Sequence, residues 1–158
     1  MLSPSVNESE HMNLILENTE QVKFFTNMKD VFCALKNDCC DYDWYVSDIE
    51  TNGYFVAEGW YSGSKLEEII LNNDIQFIWA VFSAFPIGSK FKVDESPYVE
   101  GNPEYWHDSD LSPQLKGAVF EIACWDSSAT ILIGVNSEQA KNFKSVYTDT
   151  IELKYAAR

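Results

Sequence analysis

Bases are scarce in this sequence. Lys and Arg number 11 in 158 residues against 25 Asp and Glu, giving a formal charge of −14. Nucleic acid and anionic membranes are both recognised through concentrated Lys and Arg, so neither is expected as a direct partner. Histidine is scarcer still, with only His11 and His107. There is no HxxxH, HExxH or CxxC spacing, so the usual zinc signatures are missing. The seven glycines are scattered singly, which leaves no GxGxxG or GxxxxGKS/T loop to cradle a phosphate. GxSxG is absent too, and with it the α/β-hydrolase elbow. No run approaches the ~20 apolar residues that a membrane-spanning helix needs. The segment MLSPSVNESEHMN has neither a basic n-region nor an apolar h-region, so it does not read as a signal peptide. The expected compartment is the cytoplasm, where the four cysteines stay reduced.

What is present describes a folded chain. Hydrophobic residues make up 46% and aromatics 15%, too much for intrinsic disorder. Residues 1–12 are polar and aperiodic and read as a frayed leader, with Met12 as an alternative start; 13–158 read as one domain. A short strand is expected at 14–17 and a helix at 27–37 capped by Thr26, where Met28, Val31, Phe32 and Leu35 share a face. Strands follow at 42–51 and 54–61 around Asn52-Gly53, the signature of a type I′ hairpin. Ser64-Lys65-Leu66-Glu67 reads as a capping box, and 75–85 (IQFIWAVFSAF) as a central strand ended by Pro86. Phe77, Trp79, Val81 and Phe82 are expected to be buried there, with Phe120, Ile122, Ile131, Ile133 and Phe143 packed around them. After a long loop come strands at 118–125 and 129–135, a helix capped by Ser137, and an edge strand at 150–155. The pattern lacks βαβ alternation. It predicts a single-domain α+β fold, with a mainly antiparallel sheet of about five to six strands and two to three helices.

Catalytic chemistry finds little support. A Cys/His pair would have to use His107, but Cys33 and Cys124 sit among apolar neighbours and read as core. Cys39 and Cys40 lie among Asp38, Asp41 and Asp43, which raise a thiol pKa. Cys39, Cys40 and His107 are the remaining zinc trio, unsupported by spacing. Glu121 interrupts the apolar run AVFEIACW and is the candidate for a pKa-shifted acid. The plainer reading puts it on the solvent face of an edge strand. No catalytic, cofactor-binding or metal-binding residue is assigned.

The charge pattern is more informative. Between Lys36 and Lys65 lie six acids and no base: Asp38, Asp41, Asp43, Asp48, Glu50 and Glu58. Between Lys92 and Lys116 lie six more, again with no base: Asp94, Glu95, Glu100, Glu104, Asp108 and Asp110. Both windows carry aromatics, Tyr42, Trp44 and Tyr45 in one and Tyr98, Tyr105 and Trp106 in the other. A solvated face normally intersperses Lys with Glu and carries little Trp. Acids with Tyr and Trp suit a hot-spot surface for a basic protein. The expected partner-binding set is Asp41, Asp43, Trp44, Asp48, Glu50, Asp94, Glu95, Tyr98, Glu100, Glu104, Tyr105, Trp106, Asp108 and Asp110. The competing reading packs the aromatics inward and leaves the acids for solubility.

The C-terminal stretch FEIACWDSSATILIGVNSEQAKNFKSVY reads as strand, turn, strand, helix. With the size, the charge and the acidic Tyr/Trp segments, it resembles the small acidic immunity proteins of bacterial polymorphic toxin systems, including contact-dependent growth inhibition. The resemblance implies a cytoplasmic inhibitor of a toxin domain, a nuclease or similar enzyme, and carries no residue across by motif. Two alternatives stay open: a nucleic-acid-mimic inhibitor, and a small hydrolytic enzyme using acidic residues.

Overall fold

The computed structural model describes residues 11–107 and 110–156. Seven strands form one sheet: β1 (His11–Glu17), β2 (Tyr42–Thr51), β3 (Gly59–Ser62), β4 (Phe77–Pro86), β5 (Phe120–Trp125), β6 (Ala129–Asn136) and β7 (Ile151–Glu152). Their order is β3-β2-β4-β5-β6-β1-β7, and each neighbouring pair is antiparallel. Three helices complete the α+β domain: α1 (Met28–Leu35), α2 (Gly63–Asn72) and α3 (Ser137–Val146). The strand count is seven rather than the expected five to six, and both edge strands are short, four residues in β3 and two in β7. The chain at 153–156, expected to extend the last strand, turns into a 3-10 helix instead. At the other end β1 starts at His11, opposite Asn136, so residues 11 and 12 belong to the sheet rather than to a leader. No helix among the described residues is long and apolar enough to cross a membrane.

Alternation along the strands sorts the core into two layers. On β5, Phe120, Ile122 and Cys124 join the layer under the helices, with Met28, Phe32, Leu66, Ile70, Ala140 and Phe143. The opposite face carries Ala123, Val81, Ile131 and Ile133, and it is covered by Val99 and Tyr105 from the long connection 87–119. Both faces of β4 are therefore buried, as its largely apolar run required, and Ser83 is buried with it. Phe77, Val81 and Phe82 are buried, but Trp79 is only half-buried, stacked edge-on against Trp125 at 5.0 Å.

Local signals land a residue or two from where the sequence places them. Ser62 caps α2 by accepting from the Lys65 N–H at 3.2 Å, so the cap is not Ser64. Asn136 caps α3 in a reciprocal box with Gln139, one residue before Ser137. Asn27, not Thr26, is the residue before α1, which ends at Lys36 in the left-handed region. The Asn52-Gly53 turn keeps its register but not its type. Val46 faces Gly59 and Asp43 faces Ser62, as a two-residue loop at 52–53 dictates. Asn52 nevertheless keeps a negative φ and the strands part beyond Val46. Paired positive φ values occur instead at Asp126 and Ser127, where the Ser128 N–H closes onto the Trp125 carbonyl at 2.9 Å.

Gly63 is needed for contact rather than for φ. A Cβ there would lie 2.3 Å from the Cys39 carbonyl and 2.5 Å from the Cys40 Cα, both backbone atoms that cannot swing away. Gly63→Ala is therefore expected to destabilise by about 2 kcal/mol or more, despite alanine's better helix propensity of up to ~1 kcal/mol. A urea midpoint equal to or above wild type would contradict this packing.

Candidate functional site

The connection 87–119 is a strap laid across the sheet face opposite the helices, and carboxylates hold it there. Asp43 accepts the Gly88 N–H at 2.9 Å. Asp48, at a bulge with φ 55°, accepts the Val99 and Glu100 N–H groups at 2.8 and 2.9 Å. The neighbouring Ser47 hydroxyl donates to the Pro97 carbonyl at 2.8 Å. Glu121 accepts from the Tyr105 hydroxyl at 2.6 Å and from the Gln114 N–H at 2.8 Å. Gln114 closes the network by donating to Tyr105 Oη at 2.8 Å and to the Tyr98 carbonyl at 2.9 Å.

This placement corrects the reading of Glu121. β5 is the middle strand, and the strap covers the face on which Glu121 points, leaving it 1% exposed. Burial pushes its carboxyl above the ordinary range, partly offset by the Gln114 and Tyr105 bonds to its charged form. Burial and the Glu121 charge push the Tyr105 hydroxyl well up as well, which keeps it a neutral donor. The pair resembles an active-site acid in isolation. Its bonding capacity, however, is spent on the strap.

Four of the expected partner-binding residues pack into the fold. Trp44 is fully buried, Tyr105 is 2% exposed and Asp43 is 7% exposed, so none forms an outer surface. Trp106 is half-buried, its ring 4.7 Å from Trp125. The buried aromatics satisfy the inward-packing alternative for these positions. Asp48 is partly covered by the strap it holds. Exposed are Asp41, Glu50, Asp94, Glu95, Tyr98, Glu100, Glu104 and Asp110. Asp108 lies outside the described residues. Asp41 stands apart, in the 3-10 turn Cys39–Asp41 next to Gly63.

The two acidic windows do meet. Ser96 donates to Glu58 at 2.9 Å and bonds the Tyr45 hydroxyl at 3.0 Å, which brings Asp94 and Glu95 beside the β2–β3 connection. Asp48 does the same for Glu100. The resulting surface carries Glu58, Asp94, Glu95 and Glu100 with Tyr98, which is 48% exposed, and Glu50 is exposed on β2. Further along the strap Glu104 pairs with His107 at 3.1 Å. Sequence reasoning did not single out Ser47, Ser96 or Gln114, because a Ser or Gln in a polar loop carries no local signal of its long-range partner.

Elsewhere the chemistry is sparse. A cavity of about 320 Å³ at the β1–β7 end is lined by both histidines with Asp110, Glu152 and Lys154. A groove of about 480 Å³ between α1 and α2 is lined by Cys33, Asp38, Cys39 and Glu67. Glu121 lines neither. Asp38, Cys40 and Glu67 place one ligand atom each within 4.8 Å of the others, a trio that does not include His107. Asp38 is already engaged there with the Cys40 N–H at 2.9 Å. All four cysteines are free thiols. Burial lifts Cys39 to about 12, and Cys40 is raised by desolvation and by Glu67 and Asp38, so neither is activated as a nucleophile. No protein-family model, no curated protein and no solved structure matches this chain.

Proposed function

We propose that this chain is a binding protein that neutralises a basic partner, acting as an immunity protein against a cognate bacterial toxin domain. The observation that carries the reading is the strap's outer surface. Asp94, Glu95, Glu100, Glu104 and Asp110 are exposed on a segment with no base between Lys92 and Lys116, and hydrogen bonds fasten the connection to the sheet at Gly88, Val99 and Gln114. A fixed surface loses little conformational freedom on docking. Fixed carboxylates present to Arg and Lys what a substrate phosphate would, so a cleft built for phosphate is a suitable target. Steering between opposite charges speeds capture of an incoming toxin. The hydrolase alternative loses its main candidate, because Glu121 is enclosed with Tyr105 and Gln114 rather than aimed into a cleft.

The test is co-expression. The domain encoded by the open reading frame beside this chain's gene is expected to arrest growth when expressed alone, and this chain is expected to restore growth. Arrest that persists in the presence of folded chain, or a neighbouring product that is harmless, would overturn the immunity reading.

A further inference from the structure

The segment expected to continue the hairpin as a strand at 54–58 leaves the sheet and forms a knuckle. Its two ends are fastened. Asn52 exchanges three hydrogen bonds with the 74–76 backbone: its N–H to the Gln76 carbonyl, its Oδ1 from the Gln76 N–H, and its Nδ2 to the Asp74 carbonyl. On the other side Glu58 accepts from the Asp48 N–H at 3.2 Å and from Ser96. Within it the Thr51 hydroxyl donates to the Tyr54 carbonyl and the Tyr61 hydroxyl to the Ala57 carbonyl. Val56 points inward and joins the core beneath the helices at 8% exposure. Phe55 points outward and is 90% exposed, and Tyr54 beside it is 41% exposed. The fold thus holds a large apolar ring in water on a rigid support. Nothing in the packing uses it.

We infer that Phe55, with Tyr54, is the anchor that inserts into an apolar cleft of a protein partner, a cleft framed by Lys and Arg. The frame follows from charge. The knuckle lies between Glu50 and Glu58 in a stretch without a base from Lys36 to Lys65, and the Glu58–Ser96 bond joins it to Asp94 and Glu95. An anionic bilayer would repel this acidic rim, and a second copy of a chain carrying −14 would set like charges against each other. An aromatic centre inside a polar, charged rim is the usual layout of a binding hot spot. The inference rests on the basic-partner reading above and adds the contact that governs how long the complex lasts.

Binding kinetics with the growth-arresting domain test it, using Phe55→Ala, the Asp94→Lys/Glu95→Lys double variant, and Tyr155→Ala as an exposed control. Phe55→Ala is expected to leave the melting temperature unchanged and to weaken binding about 30-fold, nearly all of it in the dissociation rate. The double variant should act on association instead, and Tyr155→Ala on neither. Benzoylphenylalanine placed at position 55 should crosslink to that domain. If Phe55→Ala binds as wild type while the double variant is impaired, the anchor fails and the acidic-surface reading stands. If the folded wild-type chain does not bind the domain, that reading fails and the anchor with it. Crosslinking from position 55 only to a second copy of this chain would also overturn the anchor.

Discussion

Replacing Trp44 by alanine is expected to cost about 3–5 kcal/mol of stability, the range for deleting a fully buried large aromatic. Trp44 has no exposed surface and its Nε1 donates to the Cys39 carbonyl at 2.9 Å. Its ring meets Phe32, Tyr42 and Phe120 with centroids 5.1, 5.6 and 5.7 Å away. Truncation would therefore open a void between α1 and the sheet and remove one of the two donors of the Cys39 carbonyl, leaving only the Tyr42 N–H. Trp79→Ala should cost distinctly less, because Trp79 is half-buried and packs against the rim of its cluster only in part. Urea unfolding of both variants checks the ranking. A smaller loss for Trp44 than for Trp79 would mean that the core is assigned to the wrong face.

The second large effect concerns Glu121. Glu121→Leu should cost about 2–4 kcal/mol, since it strips the buried Tyr105 hydroxyl of its acceptor at roughly 1–3 kcal/mol and also removes the partly buried bond from the Gln114 N–H. Glu121→Gln separates charge from hydrogen bonding, because it keeps the shape and an acceptor for the Gln114 N–H. The sign with pH follows from linkage. Burial raises the folded-state pKa above its unfolded value, so between the two the folded chain binds more protons than the unfolded one. The contribution of Glu121 to stability is therefore full below the unfolded value and is lost as pH rises through the folded value. Relative to wild type, Glu121→Gln should be more favourable at pH 8 than at pH 5. Unfolding free energies of the two proteins at both pH values decide it, and the opposite ordering would mean that the ionised carboxylate is the better-solvated form in the fold.

These two residues also show where sequence reasoning stops. Trp44 shares the parity of Tyr42 and Val46, so alternation alone was enough to place it on the core face. Parity places Glu121 opposite Ile122, but no local pattern reveals that a connection more than thirty residues long folds back over that side. The apolar runs of β4, β5 and β6 were legible because burial on both faces leaves no alternation to misread. Cap positions moved by a residue or two because Ser62 and Ser64, or Asn136 and Ser137, are chemically equivalent caps until the backbone selects one. Tight contact across the chain, as at Gly63, leaves no mark in composition. The acidic windows were visible, yet half of their meaning was internal. Asp43 and Asp48 spend their charge on backbone N–H groups of the strap, and only the outer row is free to face a partner.

The outer row of carboxylates is what a basic partner would meet first, and one measurement addresses it directly. The association rate of the proposed growth-arresting partner domain is to be followed by stopped flow as ionic strength rises, for wild type and for Asp94→Lys/Glu95→Lys. Steering fades as the Debye length shrinks to ~8 Å at physiological salt, so the wild-type rate should fall steeply. The double variant should start about tenfold slower at low salt and depend on salt much less. Identical rates and identical salt slopes for the two proteins would contradict the account, leaving the strap's acids as solvated surface alone.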